Sequence, residues 1–423
     1  MLIEITTGLD VEVSGRPEQT IDTGPEVGQV ALLGGDYLNL RPSLEVDEGA
    51  RVKAGDTIFT DRARPEIRFV APAAGRITQI NRGPRRTLVS VVIDVDGDER
   101  AIVDVPDDPS RREEIVALLL RSGLWPALRS RPFGRVADPG GTPAALLLTA
   151  IDTRPLAPDP AVVVGLREAD FAAGARALAC LAPVTYLCSR AGASLPDVDA
   201  EGLSVVEFSG PHPAGLVGTH LRHLCPEADE VWHIGYQDVL ALGRLLVSGE
   251  LCDERVVSVA GPGAVRPRLL RTRAGARLSE LVQGESENGC AVIAGSVLSG
   301  RAPTPASGYL GRYDSQVSLL RAAGPSRRRW LDVVWPRGAA PARNIGRGSG
   351  MLPVESFDRV WPFQAPVAPL LRALLTGDTE LASSLDCLSL VEEDLALCAY
   401  VCPSRLDYGA ALRATLHEIE RGR

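Results

Sequence analysis

Short apolar runs alternate with helix-like stretches over residues 115–261, and this alternation constrains the fold more than any other feature of the sequence. The apolar runs are residues 144–151, 184–188, 203–208, 230–235 and 255–261. Apolar residues at helical spacing fill the intervals at 168–181, 214–225 and 238–249. Strands that alternate with helices build βαβ units. The pattern therefore predicts a Rossmann-like α/β domain, with a mostly parallel sheet and helices on both of its faces.

Sheets of this kind often bind a nucleotide at a glycine-rich turn between a strand and the next helix. No G-x-G-x-x-G motif opens a helix in this sequence. Gly215 and Gly218 come closest, but we expect them to lie inside the helix of residues 214–225, where two glycines are a weak signal. The α/β domain is thus predicted without a dinucleotide-binding turn.

The region before this domain, Gln29 to Asp96, alternates short β-rich runs with tight turn pairs, which predicts antiparallel hairpins. Its strings "EGARVKAGD" and "APAAGRI" resemble the framework of the biotinyl/lipoyl carriers, a barrel-sandwich family. The resemblance implies a lysine at an exposed hairpin tip, but residues 60–63 read Thr-Asp-Arg-Ala. Because arginine cannot form the acyl amide, we expect a structural module and not a swinging arm.

Two further blocks follow the α/β pattern. Residues 255–323 combine strands, a short "LSELV" helix and glycine turns, which suggests a β-grasp-like fold. The segment from Pro353 to Arg423 is helical, with Gly377 as a predicted C-cap. The predicted domains are residues 1–100 (barrel-sandwich), 101–254 (α/β), 255–330 (β-grasp, SLBB-like) and 331–423 (helical).

Composition excludes several kinds of partner. A net charge of −9 disfavours nucleic acid, and it disfavours direct adhesion to an anionic leaflet. The amino terminus lacks the basic and apolar regions of a secretory signal, and every apolar run is shorter than the roughly 18 residues of a membrane span. We therefore expect a chain that does not cross a bilayer, with its eight cysteines as reduced cytosolic thiols.

The stretch "LALCAYVCPSR" contains Cys398 and Cys402, followed directly by a proline. This is the second half of the ferredoxin run C-x2-C-x2-C-x3-C-P, whose thiolates hold a 4Fe–4S cluster. The two earlier ligand positions hold Glu392 and Leu395, so half of the thiolates are missing or the spacing is a coincidence. A zinc site built from the same cysteines with Cys387 lacks a recognisable fourth ligand, because His417 is not at a finger spacing.

Several long strings resemble the A subunit of the sodium-translocating NADH:quinone oxidoreductases. They include "GPHPAGLVGTHLRHL" (210–224), "VWHIGYQDVLALGRLLVSGEL" (231–251), "YLGRYDSQVSLL" (309–320) and "VEEDLALCAYVCPSRLDYG" (391–409). The resemblance covers nearly the whole chain. It implies a bacterial respiratory complex of six subunits that oxidises NADH, reduces ubiquinone and exports sodium. It also implies a peripheral place on the cytoplasmic face of the inner membrane, held by integral partner subunits.

The family is similar in domain plan to the C subunit of the Rnf ferredoxin:NAD complex and, more distantly, to the flavin subunit of complex I. By that resemblance, residues 123–136 replace a glycine-rich flavin loop, with Trp125, Pro126 and Arg129 filling its space. We therefore expect no redox cofactor in this chain. The resemblance implies that NADH, FAD, FMN, iron–sulfur centres and ubiquinone belong to the complex as a whole. The alternative is a soluble Rnf C-like electron-transfer subunit with its own flavin or cluster.

Three residues are candidate quinone contacts. Trp125 and Phe133 can lie against a quinone ring, although core packing is the commoner use of such aromatics. His212 can donate a proton near neutral pH, or it can simply brace a proline-rich turn. His220 and His223 are expected on the surface of the following helix, and the arginines of residues 327–330 in an exposed basic turn.

Overall fold

The computed structural model describes residues 1–287, 289–321, 351 and 353–422. The predicted basic turn at 327–330 lies outside this range. The strands are β1 (Leu2–Glu4), β2 (Glu18–Thr23), β3 (Gln29–Leu33), β4 (Pro42–Leu44), β5 (Arg51–Val52), β6 (Thr57–Asp61), β7 (Arg64–Val70), β8 (Gly75–Arg82), β9 (Leu88–Val95), β10 (Arg129–Arg131), β11 (Arg135–Val136), β12 (Ala145–Ala150), β13 (Thr185–Arg190), β14 (Leu203–Ser209), β15 (Val231–Gly235), β16 (Glu254–Ala260), β17 (Arg268–Arg273), β18 (Cys290–Ala294) and β19 (Gln316–Arg321).

The helices within the same described range are α1 (Arg112–Arg121), α2 (Pro160–Val164), α3 (Glu168–Leu178), α4 (Val217–Leu224), α5 (Tyr236–Ser248), α6 (Leu278–Leu281), α7 (Glu355–Val360), α8 (Val367–Thr376), α9 (Thr379–Ser384), α10 (Ala396–Val401) and α11 (Tyr408–Gly422). No helix in the described ranges is long and apolar enough to cross a membrane.

The predicted α/β domain contains a seven-stranded sheet in the order β1-β14-β13-β12-β15-β10-β11. Its first five strands are parallel, and β10 and β11 close the edge as an antiparallel hairpin. Alternate residues of β12 enter different cores: Leu146 and Leu148 join the core that contains α3 and α5, whereas Leu147 joins the core that contains α4. The prediction of a parallel sheet with helices on both faces is confirmed.

One detail of that prediction is wrong, and one apolar run that was counted in its pattern belongs to the β-grasp unit, as the predicted boundary at residue 255 has it. The apolar run 255–261 forms β16, which pairs with β17 and β19 in a second sheet. Because both faces of this strand are buried, its sequence resembles a strand of a parallel sheet. Gly215 does not lie inside the helix, because α4 begins at Val217, whereas Gly218 is in its first turn as expected.

The barrel is built from a four-stranded sheet, β3-β9-β8-β5, and a three-stranded sheet, β4-β6-β7. On the three-stranded sheet, the rings of Phe59 and Phe69 stack at 4.7 Å, and Tyr37 meets Phe69 edge-on at 4.5 Å. The hairpin tip between β6 and β7 presents Arg62 to solvent, as the sequence predicts.

The chain start belongs to two other sheets. β1 pairs in parallel with β14 at the edge of the α/β sheet, and β2 pairs with β17 in the five-stranded sheet β18-β19-β16-β17-β2. This second sheet, with α6, is the predicted β-grasp unit. The pairings of β1 and β2 join residues about 200 or more positions apart, so no local pattern predicts them.

The carboxyl-terminal helices α7 to α11 enclose a separate core that includes Phe357, Leu370, Leu374, Tyr408 and Leu412. Helix α8 ends at Gly377, whose φ of 72° is the left-handed conformation that favours glycine. The predicted C-cap is therefore confirmed.

Candidate functional sites

The two cysteines of the ferredoxin-like run lie in the carboxyl-terminal core. Cys398 is inside α10, Cys402 follows that helix, and both side chains are buried. The sulfur of Cys402 lies 3.3 Å from the hydroxyl oxygen of Tyr408. Burial, with a smaller contribution from Cys402, raises the pKa of Cys398 to about 12. Cys398 is therefore a protonated thiol that packs like a small hydrophobe.

The other two positions of the run are occupied by different interactions. Glu392 forms a two-point ion pair with Arg413, with N–O distances of 2.6 and 2.7 Å, and Leu395 is buried. Cys387 is buried in the same core, whereas His417 is exposed. Within the described residues, no three His, Cys, Asp or Glu side chains form a metal-binding group.

Residues 123–136 form a short 3-10 turn followed by the hairpin β10–β11. Trp125 is 0% exposed, its indole N–H donates to the carbonyl of Ala137 at 2.8 Å, and its ring meets Trp232 edge-on at 5.6 Å. The indole of Trp125 therefore fills buried space beneath this segment.

The same segment holds the carboxyl-terminal helices against the α/β domain. Arg131, buried in β10, pairs with buried Asp394 at 3.2 Å and donates to the carbonyl of Ser389 at 3.0 Å. A β-carbon added to Gly218 would lie 2.3 Å from an oxygen of Asp394, so the glycine permits this close approach. Burial raises the pKa of Asp394 to about 6 against the opposing effect of Arg131.

The three histidines near the start of α4 differ in environment. His212 braces a turn as expected: its backbone N–H donates to Asp10 at 2.9 Å, and its Nδ1 lies 3.0 Å from the Thr153 hydroxyl. His223 is exposed as expected, but the surface placement of His220 is wrong because it is 0% exposed. Its Nε2 lies 2.9 Å from the Ala214 carbonyl and its ring packs on Phe208. Burial lowers the pKa of His212 and His220 to about 4.

One inter-domain cavity lies between the barrel, the segment after α1 and the β-grasp unit. We call it the barrel cavity. It encloses about 800 Å³ including the solvent at its mouth. Its lining residues include Leu33, Asp36, Tyr37, Phe69, Val70, Gly123, Leu124, Pro126, Leu310 and Arg312. Most of these side chains are apolar, and the polar groups are few, as in a typical small-molecule site.

Residues 1–100 contribute Asp36, Tyr37 and Arg100 to the polar lining of this cavity. Asp36 is half-buried and accepts the N–H of Arg312 at 2.7 Å. Burial and the nearby Asp314 raise the pKa of Asp36 to about 6, despite the Arg312 N–H, which lowers it. Burial also raises the pKa of Tyr37 well above its ordinary value, so its phenol stays protonated. The cavity thus holds one acid that titrates near neutral pH and one neutral phenol.

A second cavity lies where β12 and β15 end. We call it the switch-point cavity, because β13 and β14 extend the sheet on one side of β12 while β15 lies on the other. It also encloses about 800 Å³ including the solvent at its mouth. Its lining includes Arg129, Asp152, Arg154, Gly235, Tyr236, Asp238, Arg255, Arg312, Tyr313 and Glu393.

Arg255 and Arg312 line both cavities, and Asp238 of the switch-point cavity pairs with both of them. The Asp238 carboxylate lies 2.7 Å from Arg312. Burial would raise the pKa of Asp238, but the two arginines lower it below its ordinary value. Asp238 is therefore ionised at neutral pH, whereas the pKa of Asp36 is about 6.

The predicted quinone contacts are not brought together by the fold. Trp125 belongs to the core shared by the barrel and the α/β domain, Phe133 packs against the carboxyl-terminal core, and His212 lies in its turn. None of the three lines the barrel cavity or the switch-point cavity within the described residues. Their role in quinone binding stays a prediction.

Sequence reasoning named Pro126 and Arg129 only as residues that fill the place of a flavin loop, and it missed most of the other residues that line the cavities. Arg312 and Tyr313 lie in the string 309–320, which served only as a family signature, and Asp36 carries no motif at all. The only sequence signal at Asp36 is a charged residue between two apolar runs, which is typical of any turn.

Fold and cavities together define a class of multidomain subunit, in which a barrel-sandwich, a parallel α/β sheet, a β-grasp sheet and a helical tail meet around inter-domain cavities. Family models match in the same order: the NqrA N-terminal barrel-sandwich hybrid domain at residues 3–96, the NqrA second alpha/beta domain at 110–251 and the NQRA C-terminal domain at 256–304.

Relatives match over the full length. The A subunit of Na(+)-translocating NADH-quinone reductase is 43% identical in Yersinia pestis and 44% identical in Pseudomonas aeruginosa, in each case over 99% of this chain and 100% of the relative. The Haemophilus influenzae relative of the same name is 41% identical over the same shares. This chain therefore belongs to the NqrA family, the A subunits of the Na(+)-translocating NADH-quinone reductases. The relatives give no support to the alternative of a soluble Rnf C-like protein.

Among solved structures, an air-oxidised NAD+-reducing NiFe hydrogenase aligns over 73% of this chain and 64% of its own, at 14% identity and a TM-score of 0.39. That similarity is too low to carry an argument.

Proposed function

We propose that this chain is a peripheral subunit of a complex that oxidises NADH, reduces ubiquinone and exports sodium, and that it receives the quinone head group in the barrel cavity. The names of its relatives support the reaction. The cavity itself is the observation that supports the site, because it is largely apolar and holds Asp36 and Tyr37 at one wall. Five other subunits, some of them integral to the membrane, carry the flavins and iron–sulfur centres.

The chemistry of quinone reduction fits these two side chains. A quinone that takes up two electrons also takes up two protons to become quinol. The electrons come from partner subunits. A carboxyl group with a pKa of about 6 passes a proton readily at neutral pH, so Asp36 delivers one proton and is reprotonated from solvent. The Tyr37 phenol donates a hydrogen bond to a quinone oxygen, and solvent at the cavity mouth supplies the second proton.

Asp36→Asn in the assembled complex tests this role. We expect the rate of NADH:quinone reduction to fall about tenfold or more, because removal of a general acid usually costs that much. NADH oxidation with an artificial electron acceptor should not change, because that reaction bypasses the quinone site. Asp47→Asn is the matched control, since Asp47 is an exposed carboxylate on the same barrel.

The two assays also separate quinone contact from a purely structural role. Loss of both activities, together with loss of co-purifying partner subunits, would assign Asp36 to assembly. Full quinone reduction by the assembled D36N complex would refute the proposal.

Attachment to the membrane is proposed to depend on partner proteins. The chain carries a net charge of −9, so an anionic bilayer repels it. We expect it to sediment with membranes only when the integral subunits are co-expressed, and deletion from Leu385 onward should weaken this association. Sedimentation with protein-free anionic vesicles at physiological salt would contradict attachment through partners.

A further inference from the structure

The switch-point cavity contains a cation, Arg129, that the proposed quinone site does not use. Its four lining carboxylates each have an arginine within 4.0 Å: Asp152 with Arg154, Asp238 with Arg255 and Arg312, Asp314 with Arg301, and Glu393 with Arg131. Arg129 is the exception among the lining arginines, since it forms no ion pair with any described residue. Its guanidinium stacks on the ring of Tyr313 at 4.2 Å. The stack fixes the cation at the cavity wall and leaves its N–H donors available.

Helix α5 directs its amino terminus at the same cavity. Gly235, Tyr236, Gln237 and Asp238 all line it. No side chain caps this 13-residue helix, so the N–H groups of its first turn lack a side-chain acceptor. A β-carbon added to Gly235 would meet no atom within 4 Å, so the space in front of the helix is open. Uncapped amides and the helix dipole favour an anion there.

His233 gives an independent indication of a missing ligand. It lines the cavity, its side chain is 2% exposed, and its Nε2 has no hydrogen-bond partner among the described residues. A buried polar atom without a partner is costly, and such atoms are usually satisfied by a ligand or an ordered water. His233 and Arg129 are directly opposite each other on the paired strands β15 and β10, so both side chains project from the same face of the sheet.

We propose that the switch-point cavity binds a phosphate group, free or carried on a small molecule, held by Arg129, His233 and the first turn of α5. Arginine matches the geometry of phosphate oxygens with two parallel N–H donors. Asp238 is the one carboxylate in this first turn of α5. Its negative charge is offset by its ion pairs with Arg255 and Arg312. The cavity is larger than inorganic phosphate, which leaves room for a phosphate ester.

Calorimetric titration of the purified full-length chain tests the proposal, with sodium phosphate at constant ionic strength maintained by sodium chloride. We expect saturable binding, which Arg129→Met weakens about tenfold or more, since a hydrogen bond to a charged group contributes about 1.5–3 kcal/mol. Arg62→Met, at the exposed tip of the barrel hairpin, is the matched control and should bind as the unmodified chain does. A second titration uses glycerol phosphate. If it binds more tightly than sodium phosphate, the cavity takes a phosphate ester; if sodium phosphate binds more tightly, the cavity takes the free anion.

Gly235→Asp provides a test that does not depend on Arg129. An aspartate at this position has room, suits the backbone conformation of a helix cap and would occupy the first-turn amides itself. We expect this variant to melt at a higher temperature and to lose phosphate binding. Absence of saturation at constant ionic strength, equal affinity in R129M and R62M, or unchanged binding by G235D would each overturn the proposal.

Discussion

The amino-terminal barrel and the carboxyl-terminal helices both resemble cofactor-carrying modules, but they are joined to the rest of the molecule by different forces. Barrel residues such as Ile58, Phe59 and Ile77 belong to one continuous core with Leu146 of the α/β sheet and Leu269 of the β-grasp sheet. The helical tail has its own core. It meets the other domains through a few partly buried apolar side chains and through arginine–carboxylate pairs, which include Arg131–Asp394, Arg222–Asp386 and Arg135–Glu420.

This difference has a mechanical consequence. A module that shares an apolar core cannot separate without exposing that core, so the barrel should unfold with the α/β domain. A module that docks through charged pairs can detach and keep its own core intact. The tail is therefore the part of the chain whose docking responds to charge and pH.

Among the changes that test this difference between the two modules, Arg131→Ala should cause the largest loss of stability. It leaves the carboxylate of Asp394 buried without its cation, which costs about 3–5 kcal/mol. We expect the amides around Ser389 and Asp394 to lose hydrogen-exchange protection while the barrel strands retain theirs. Phe59→Ala removes about 3–5 kcal/mol as well, but from the shared core, so protection should fall throughout the barrel and the α/β domain.

An exposed pair supplies the control for that experiment. Arg359 and Glu355 are paired at 2.7 Å on the surface of α7, so Arg359→Ala should cost less than about 1 kcal/mol. If R131A and R359A have equal effects, or if R131A unfolds the barrel and the tail together, the contrast between the two modules is wrong.

Replacing both Cys398 and Cys402 with alanine should have an intermediate effect. Each change removes a small buried side chain from the tail core, so we expect a loss of about 2 kcal/mol in total, confined to the tail. The visible absorption spectrum should be identical in the variant and the unmodified chain. A broad visible band with an iron-dependent EPR signal that disappears in the variant would show that these thiols hold a cluster.

Acidification should have the smallest effect on stability, and it should stabilise the docked tail. The folded-state pKa of Asp394, about 6, lies above its unfolded value of 3.8, so the folded tail binds the proton more tightly. Its contribution to stability is complete below pH 4 and is lost as the pH rises through 6. Between pH 7 and pH 5 the docked tail should therefore gain about 1 kcal/mol.

The Asp394→Asn variant should lack this pH dependence, even though it is less stable overall. Hydrogen exchange of the amides around Asp394 at the two pH values measures the effect directly. An equal gain in the variant would assign the titration to another group, and a loss in the unmodified chain would contradict the sign.

Local sequence patterns predicted the structural features that depend on residues close together in the chain. Four strands of the α/β sheet, helices α3 and α5, and the cap at Gly377 were all predicted because alternation, helical spacing and glycine conformation are local properties. Predictions failed where burial is decided by distant partners. His220 is expected on the surface of its helix, but the inner face of α4 packs this ring against Phe208.

The sequence by itself determined the domain order, the secondary structure of most of the described chain and the family, because each depends on residue periodicity or on long strings of residue identity. Tertiary structure alone decided which side chains meet. Asp36 faces Arg312, Asp238 joins Arg312 to Arg255, and Asp394 reaches Arg131 across more than 250 positions of the chain. Cavities and buried ion pairs arise where separate domains approach, and no local pattern encodes the distance between residues that only folding brings together.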